Sequence, residues 1–343
     1  MQTRHSIYKL HLLPNTKIRR KVISLNTPLL IGGIAGAALV AGGSASLIGA
    51  VTLFNKVIPR QDGVKVDLNE MADMAQWEEY KKIIHPNKEW LLQQNLEHIT
   101  IKSRDNLTLH ADYLPAETPS DKIVIAHHGY TSCGMNDCSS ISVFFHKLGY
   151  DCLIVDNRAH GKSEGEYIGF GILDRYDCLE WIKYVTNRFE GKKKIVLFGV
   201  SMGGATVLMT AGFPDLPDTV KAVIADCAFT TPYDVFKHVL KKDYKLPEFP
   251  IMQINEVICR KKAGYGFRDY STLTAVQNTK LPILFIHGKN DNFVPTWMSE
   301  KNYEACKSPK KLLLVENASH AASYYENHEL YEKTAAEFLS EYL

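Results

Sequence analysis

The sequence predicts an α/β protein, a mostly parallel and twisted β-sheet with helices on both faces. Two observations carry this reading. Six short apolar runs, at 123–126, 152–155, 195–198, 222–225, 283–286 and 312–315, are each followed by a helical pattern, and runs apolar on both faces belong to strands covered on both sides. The third run leads into Gly199-Val200-Ser201-Met202-Gly203, followed by Ala205, Val207, Leu208 and Ala211 at helical spacing. Strand, G-x-S-x-G turn and helix in succession are the context that motif requires.

Bulk composition fits one large domain with appendages. Over 343 residues, 45% hydrophobic and 23% charged side chains can supply a full core and leave little for long disorder. A formal net charge of +2 gives no reason to expect nucleic acid as a partner. The seven cysteines are scattered without a C-x-x-C pair, which suggests neither a zinc site nor a dense disulfide framework.

Taken in order, the chain opens with Arg4, Lys9, Lys17, Arg19, Arg20 and Lys21 and no acidic residue, and residues 29–54 then carry no charge at all. A helix crosses a hydrocarbon core of about 30 Å with about 20 apolar residues, and the run is too long for a secretory signal. The expectation is a basic segment over 1–28 and an uncleaved transmembrane helix over 29–54. After it, Lys56, Arg60 and Lys65 are interleaved with Asp62, Asp67 and Glu70. The Lys/Arg excess therefore places the N-terminus in the cytoplasm of a single-pass cell-membrane protein, with the following domain extracytoplasmic. Outside placement then requires that Cys152, Cys178 and Cys227 be buried or that the exterior be weakly oxidising.

Residues 55–95 read as a helical preamble, with Leu68, Met71, Met74, Ala75 and Trp77 on one face, a break at Pro86 and a resumption at Trp90. Ile99 and Ile101 alternate with polar neighbours, as do Leu107, Leu109, Ala111 and Tyr113 after a turn at Asp105-Asn106; this predicts an antiparallel hairpin. From 96 to 343 the pattern is one α/β domain. One interval breaks its rhythm: between Phe229 and Leu281 there is no strand pattern, but aromatics at Tyr233, Phe236, Tyr244, Phe249, Tyr265 and Phe267 and breakers at Pro247 and Pro250. So long an insertion between sheet strands predicts a helical lid over about 229–275.

The chemistry gathers at strand ends. Ser201, forced into a tight turn at a helix start, is the candidate nucleophile, and Gly199 and Gly203 omit side chains that would clash. The Met202 N–H and the positive end of the helix face the place where an oxyanion would form. A serine needs a base and the base an orienting carboxylate. His320 follows the last strand and is the candidate base. Asp291, in a polar turn after the 283–286 run, is favoured as the acid over Asp226, whose apolar neighbours suit it to bonding backbone N–H groups. The loop His127-His128-Gly129-Tyr130 offers the Tyr130 N–H as second oxyanion donor. His127 and His128 have no third ligand nearby for a metal.

By these residues the chain from about Leu96 onward resembles the α/β-hydrolase superfamily, specifically its serine aminopeptidase-like and monoacylglycerol-lipase-like bacterial branch. The resemblance rests on His128-Gly129-Tyr130, on Asp156-Asn157-Arg158-Ala159-His160-Gly161-Lys162-Ser163, on the Ser201 turn, on Asp291 with Val294-Pro295, and on His320. Ala159 departs from it, since that branch usually has glycine there. The resemblance implies hydrolysis of a small-molecule ester, amide or thioester through an acyl-enzyme, without cofactor. Carboxylesterase or acylglycerol-lipase action leads. A peptidase would need a lid carboxylate for the substrate ammonium, with Glu248, Glu256 and Asp243 available. A membrane-tethered inactive binding scaffold is the third reading, and the intact serine, histidine and aspartate speak against it.

Overall fold

In the computed structural model residues 35–61 and 74–343 are described, with side chains from Ser46 in the first segment and from Trp77 in the second. The expected basic segment and the first residues of the uncharged run lie outside the described residues. Contacts divide the chain into residues 1–43 and 44–343.

Five of the six apolar runs become strands buried on both faces, and the sixth, 312–315, forms a partly buried edge strand. After a hairpin of β1 (Glu97–Lys102) and β2 (Thr108–Leu114) come β3 (Lys122–His127), β4 (Asp151–Asp156), β5 (Lys194–Val200), β6 (Val220–Asp226), β7 (Ile283–Gly288) and β8 (Lys310–Val315). They form one sheet in the order β1-β2-β4-β3-β5-β6-β7-β8. β2 is antiparallel to both neighbours, and every pairing from β4 to β8 is parallel.

Successive side chains divide between the two faces. Val124, Val196, Phe198 and Ile224 point into one core cluster with Phe145 and Phe338, while Ile123, Ile195, Leu197 and Val223 point into another with Trp181, Val207 and Leu208. Each such side chain contributes about 1.5–3 kcal/mol on burial. The end of β5, where Ser201 sits, is therefore held from both sides.

The helices are α1 (Ala35–Val57), α2 (Met74–Leu92), α3 (Gly134–Asp137), α4 (Ser139–Lys147), α5 (Asp174–Arg188), α6 (Met202–Ala211), α7 (Pro232–Lys242), α8 (Ile251–Lys262), α9 (Thr272–Asn278), α10 (Trp297–Ala305), α11 (Ser323–Glu326) and α12 (His328–Tyr342). No helix among the described residues is long and apolar enough to cross a membrane. The transmembrane helix expected over 29–54 lies only in part among these residues, and its described end packs on protein. Ala50, Phe54 and Ile58 are buried in a third cluster with Phe170, Met202, Tyr233 and Met252, and the Ala50 carbonyl accepts from Asn255 Nδ2 at 3.1 Å. Apolar residues assigned to lipid are here used against protein.

One expectation is corrected at Pro86, which does not break the preamble: α2 runs through it. A proline inside a helix costs about 3 kcal/mol, and burial of Tyr80 and Leu91 on either side of it offsets a cost of that size. The Tyr80 ring meets Trp77 edge to face with centroids 5.5 Å apart and lies tilted against Tyr325 at 5.7 Å.

Between β6 and β7 the chain forms α7, α8 and α9 and no strand. Thr231 caps α7 by accepting the Asp234 N–H at 3.0 Å, with Pro232 at the first helical position.

Candidate active site

The turn at Ser201 is strained and crowded. Ser201 has φ 55° and ψ −112°, a conformation that costs about 1–3 kcal/mol and persists only where its surroundings over-determine it. They do so here. A Cβ on Gly199 would stand 2.2 Å from the Gly203 carbonyl oxygen, and one on Gly203 would stand 2.2 Å from that of His127. The Ser201 N–H is held by the Asp226 carbonyl at 2.8 Å.

His320, after β8, brings Nε2 to 2.9 Å from Ser201 Oγ and Nδ1 to 2.7 Å from Asp291 Oδ2. A carboxylate only accepts, so Nδ1 carries the proton and Nε2 is free to take one from the serine. Asp291, after β7, is fixed through its other oxygen by the N–H groups of Phe293 and Val294 at 2.9 and 2.8 Å. Burial opposes its charge, but His320 beside it and hydrogen bonds from His287 and His320 outweigh burial and hold the carboxyl well below the usual carboxylate range. The three residues expected to share one site are thus in hydrogen-bonded sequence.

Asp226 stands apart from that relay. Its carboxyl accepts from Ser323 Oγ at 3.1 Å, a side-chain partner where backbone N–H groups were expected. Burial pushes it up to about 6 against the pull of His287.

The loop after β3 lies beside the serine: a Cβ on Gly129 would stand 3.5 Å from Ser201 Cβ. Its flanking N–H groups are already committed, Gly129 N to Asp137 Oδ2 at 2.9 Å and Thr131 N to His160 Nε2 at 3.1 Å. Between them the Tyr130 N–H has no acceptor among the described residues. Met202 is the first residue of α6, so its N–H has no partner within the helix. Both expected oxyanion donors thus have hydrogens uncommitted among the described residues, Met202 next to the serine in sequence and Tyr130 next to Gly129.

The histidines of this region are scaffold. His128 donates Nδ1–H to Gly129 O at 2.6 Å and accepts the Asn157 N–H on Nε2 at 3.0 Å, while His127 bonds Asn157 Oδ1 at 2.7 Å. Burial lowers His127 and His128 to about 4 and His160 to about 3. All three are neutral at pH 7.

A model of the prolyl oligopeptidase family (peptidase S9) matches residues 138–343, the span that holds Ser201, Asp291 and His320. The chain belongs to this family. Its fold is that of the α/β-hydrolase superfamily. The uncharacterized protein YqkD of Bacillus subtilis is 33% identical over 225 residues, 66% of this chain and 72% of that protein. An uncharacterized membrane protein of Saccharomyces cerevisiae is 27% identical over 217 residues, 63% of this chain and 69% of the relative. Among solved structures, an esterase of Pyrococcus furiosus aligns with a TM-score of 0.60 at 25% identity, covering 74% of this chain and 93% of the esterase.

Two residues of this prolyl oligopeptidase-family chain escape sequence reasoning. His287 donates Nε2–H to Asp291 Oδ2 at 3.0 Å and to Val294 O at 2.8 Å, and its Nδ1 accepts from Ser299 Oγ at 2.7 Å. The same strand-end rule that finds Asp291 would have found it, since it closes the apolar part of β7. Asp137 gives no such signal. It lies on α3, eight positions from the Gly129 N–H it holds, and its role exists only once loop and helix meet. Ala159, the departure from the branch pattern, has φ 57°, a conformation that disfavours any residue but glycine by about 1–2 kcal/mol.

Proposed function

We propose that the protein is a serine hydrolase of the esterase type, working through an acyl-enzyme on Ser201. The observation that carries this is the unbroken relay from Ser201 Oγ through His320 to Asp291. As Ser201 Oγ attacks the ester carbonyl, His320 Nε2 takes its proton, and Asp291 stabilises the imidazolium that results. The Tyr130 and Met202 N–H groups receive the oxyanion, whose charge develops only in the transition state. The imidazolium returns its proton to the leaving alkoxide. Water then attacks the acyl-enzyme by the same route in reverse. Every step is carried by the chain's own groups.

The insertion supports an apolar acyl group. Rings run from the oxyanion loop into it, Tyr130 to Phe170 at 5.2 Å, Phe170 to Phe236 at 4.8 Å and Phe236 to Phe267 at 4.9 Å. Lys242 Nζ and His238 Nε2 of α7 bond the carbonyl of Asn292, beside Asp291, at 2.7 and 3.1 Å. This segment is our lid.

The family match favours a second reading, peptide or amide cleavage on the same relay. Against it, Glu248 is paired with Lys237 at 2.6 Å and with the Tyr233 hydroxyl, and Glu256 with Arg268 at 2.9 Å, so at these two of the three lid carboxylates a substrate ammonium would have to displace existing partners. A screen of p-nitrophenyl esters of rising chain length beside aminoacyl anilides decides between them. We expect turnover of the esters with kcat/KM rising along the chain; anilides cleaved faster than esters would overturn the esterase reading.

For location, membrane attachment through the N-terminal segment, with the catalytic unit outside the cytoplasm, is part of the same proposal. Support comes from the basic residues before the uncharged run, from Leu47, Ile48 and Val51 exposed on α1, and from the yeast relative's name. Six of the seven free cysteines are buried, which suits an oxidising exterior. Protease shaving of intact cells should remove the catalytic unit, and protection until the membrane is opened would reverse the orientation.

A further inference from the structure

Far from the relay in sequence, the antiparallel edge of the sheet places two imidazoles and a carboxylate on one face. His98 on β1 lies directly across from Asp112 on β2, and His110 precedes Asp112 by two positions, which keeps it on the same face. His98 Nδ1 is 2.5 Å and His110 Nε2 is 3.4 Å from Asp112 Oδ1. One potential ligand atom from each of the three lies within 4.8 Å of the others. His110 is only 6% exposed, and its Nδ1 has no hydrogen-bond partner among the described residues. That atom faces Asp156 Oδ2 at 3.5 Å. The His98 side chain is 64% exposed, so the group opens to solvent on one side.

We propose that His98, His110 and Asp112 form a binding site for a divalent transition-metal cation such as Zn²⁺, Co²⁺ or Ni²⁺. Two imidazoles and one carboxylate suit these ions, whereas Ca²⁺ and Mg²⁺ take oxygen ligands. With metal–nitrogen bonds of about 2.0–2.1 Å, tetrahedral ligand atoms stand roughly 3.4 Å apart. His110 Nε2 and Asp112 Oδ1 are already at that separation, and His98, exposed on an edge strand, draws back to admit the ion. His110 then binds through Nε2 and turns Nδ1–H toward Asp156, the carboxylate–histidine–metal arrangement that orients a ligand ring. Water completes the coordination.

Two consequences follow from the surroundings. Lys162 Nζ lies 3.8 Å from Asp112 Oδ1 on a largely exposed side chain, so its charge weakens the site and Lys162→Ala should bind the metal more tightly. The ion also staples β1, an edge strand, to β2. Binding to the folded state alone raises the melting temperature.

The test is calorimetric titration of the chelator-stripped full chain with Zn²⁺, with melting curves alongside. We expect saturable binding and a rise in melting temperature in the wild type, and at least a tenfold loss of affinity in both His98→Ala and Asp112→Asn. His98→Ala should stay folded in chelator, with no further rise in melting temperature on adding Zn²⁺, and hydrolyse esters at the wild-type rate. No saturable binding, or equal affinity in wild type and His98→Ala, overturns the proposal. A second group of potential ligands, Cys227, Asp291 and His320, is separated by Co²⁺ spectroscopy. The edge site gives no thiolate charge-transfer band, and a band that persists in His98→Ala would move the metal to Cys227 and defeat the assignment.

Discussion

Asp291 is gripped by four donors, two backbone N–H groups and the rings of His287 and His320, and that grip sets it apart from Asp226. Asp291→Asn should cost orders of magnitude in kcat, about 10⁴ where an amide leaves the base in the wrong tautomer. Asp226→Asn, with no bond to His320, should keep kcat within tenfold. Measuring kcat and melting temperature for both decides the matter, and a reversed pattern would hand the role to Asp226. His287→Phe removes a hydrogen bond to a charged group, worth about 1.5–3 kcal/mol, so kcat should fall roughly 10- to 100-fold with KM unchanged. Asp137→Ala frees the Gly129 N–H and loosens the oxyanion loop, with an expected loss approaching that of one oxyanion donor, about 10²–10³ in kcat. Asp137→Asn keeps an acceptor and should recover most of it. Equal rates in the two Asp137 variants would contradict this role.

At the scale of elements, strands are legible because they are apolar on both faces, as at Ile123, Val124, Ile125 and Ala126, which divide between the two core clusters. The site is legible for a related reason. Ser201, Asp291 and His320 each follow a parallel strand, and open parallel sheets gather their chemistry at strand ends. What local pattern hides is tertiary use of an element. Pro86 reads as a break until Tyr80 and Leu91 are seen to be buried on either side of it, and the glycines and alanines of α1 suit lipid and close helix packing equally; a Cβ on Gly49 would meet Ile251 at 3.8 Å. The insertion can be tested as an element. If the Phe170–Phe236–Phe267 row buries the acyl chain, Phe236→Ala should lower kcat/KM for long-chain esters more than for acetate, by about 0.8 kcal/mol for each CH₂ no longer buried. An unaltered chain-length profile in the folded variant would remove the insertion from substrate binding.

For the whole molecule, the buried neutral histidines couple stability to pH. His160 accepts the Thr131 N–H on Nε2 and donates Nδ1–H to Arg158 O, and in the folded state burial lowers it to about 3. As pH falls below about 6.5 the unfolded chain takes up a proton there that the folded chain refuses, so stability is lost toward acid pH. Other groups shift in both directions, and comparison with His160→Asn isolates this one. The advantage of the wild type should be constant above pH 6.5 and narrow below it by up to about 1.4 kcal/mol per pH unit. Parallel stability profiles for the two proteins would contradict a neutral His160.

The central claim is that Ser201, activated by His320, forms the covalent intermediate. Its most direct test is reaction of the full chain with a fluorophosphonate probe, followed by mapping of the modified peptide. One equivalent of probe on Ser201, abolished in Ser201→Ala and nearly so in His320→Ala while both variants stay folded, is the predicted result. Labelling elsewhere, or ester turnover that survives in Ser201→Ala, would contradict it.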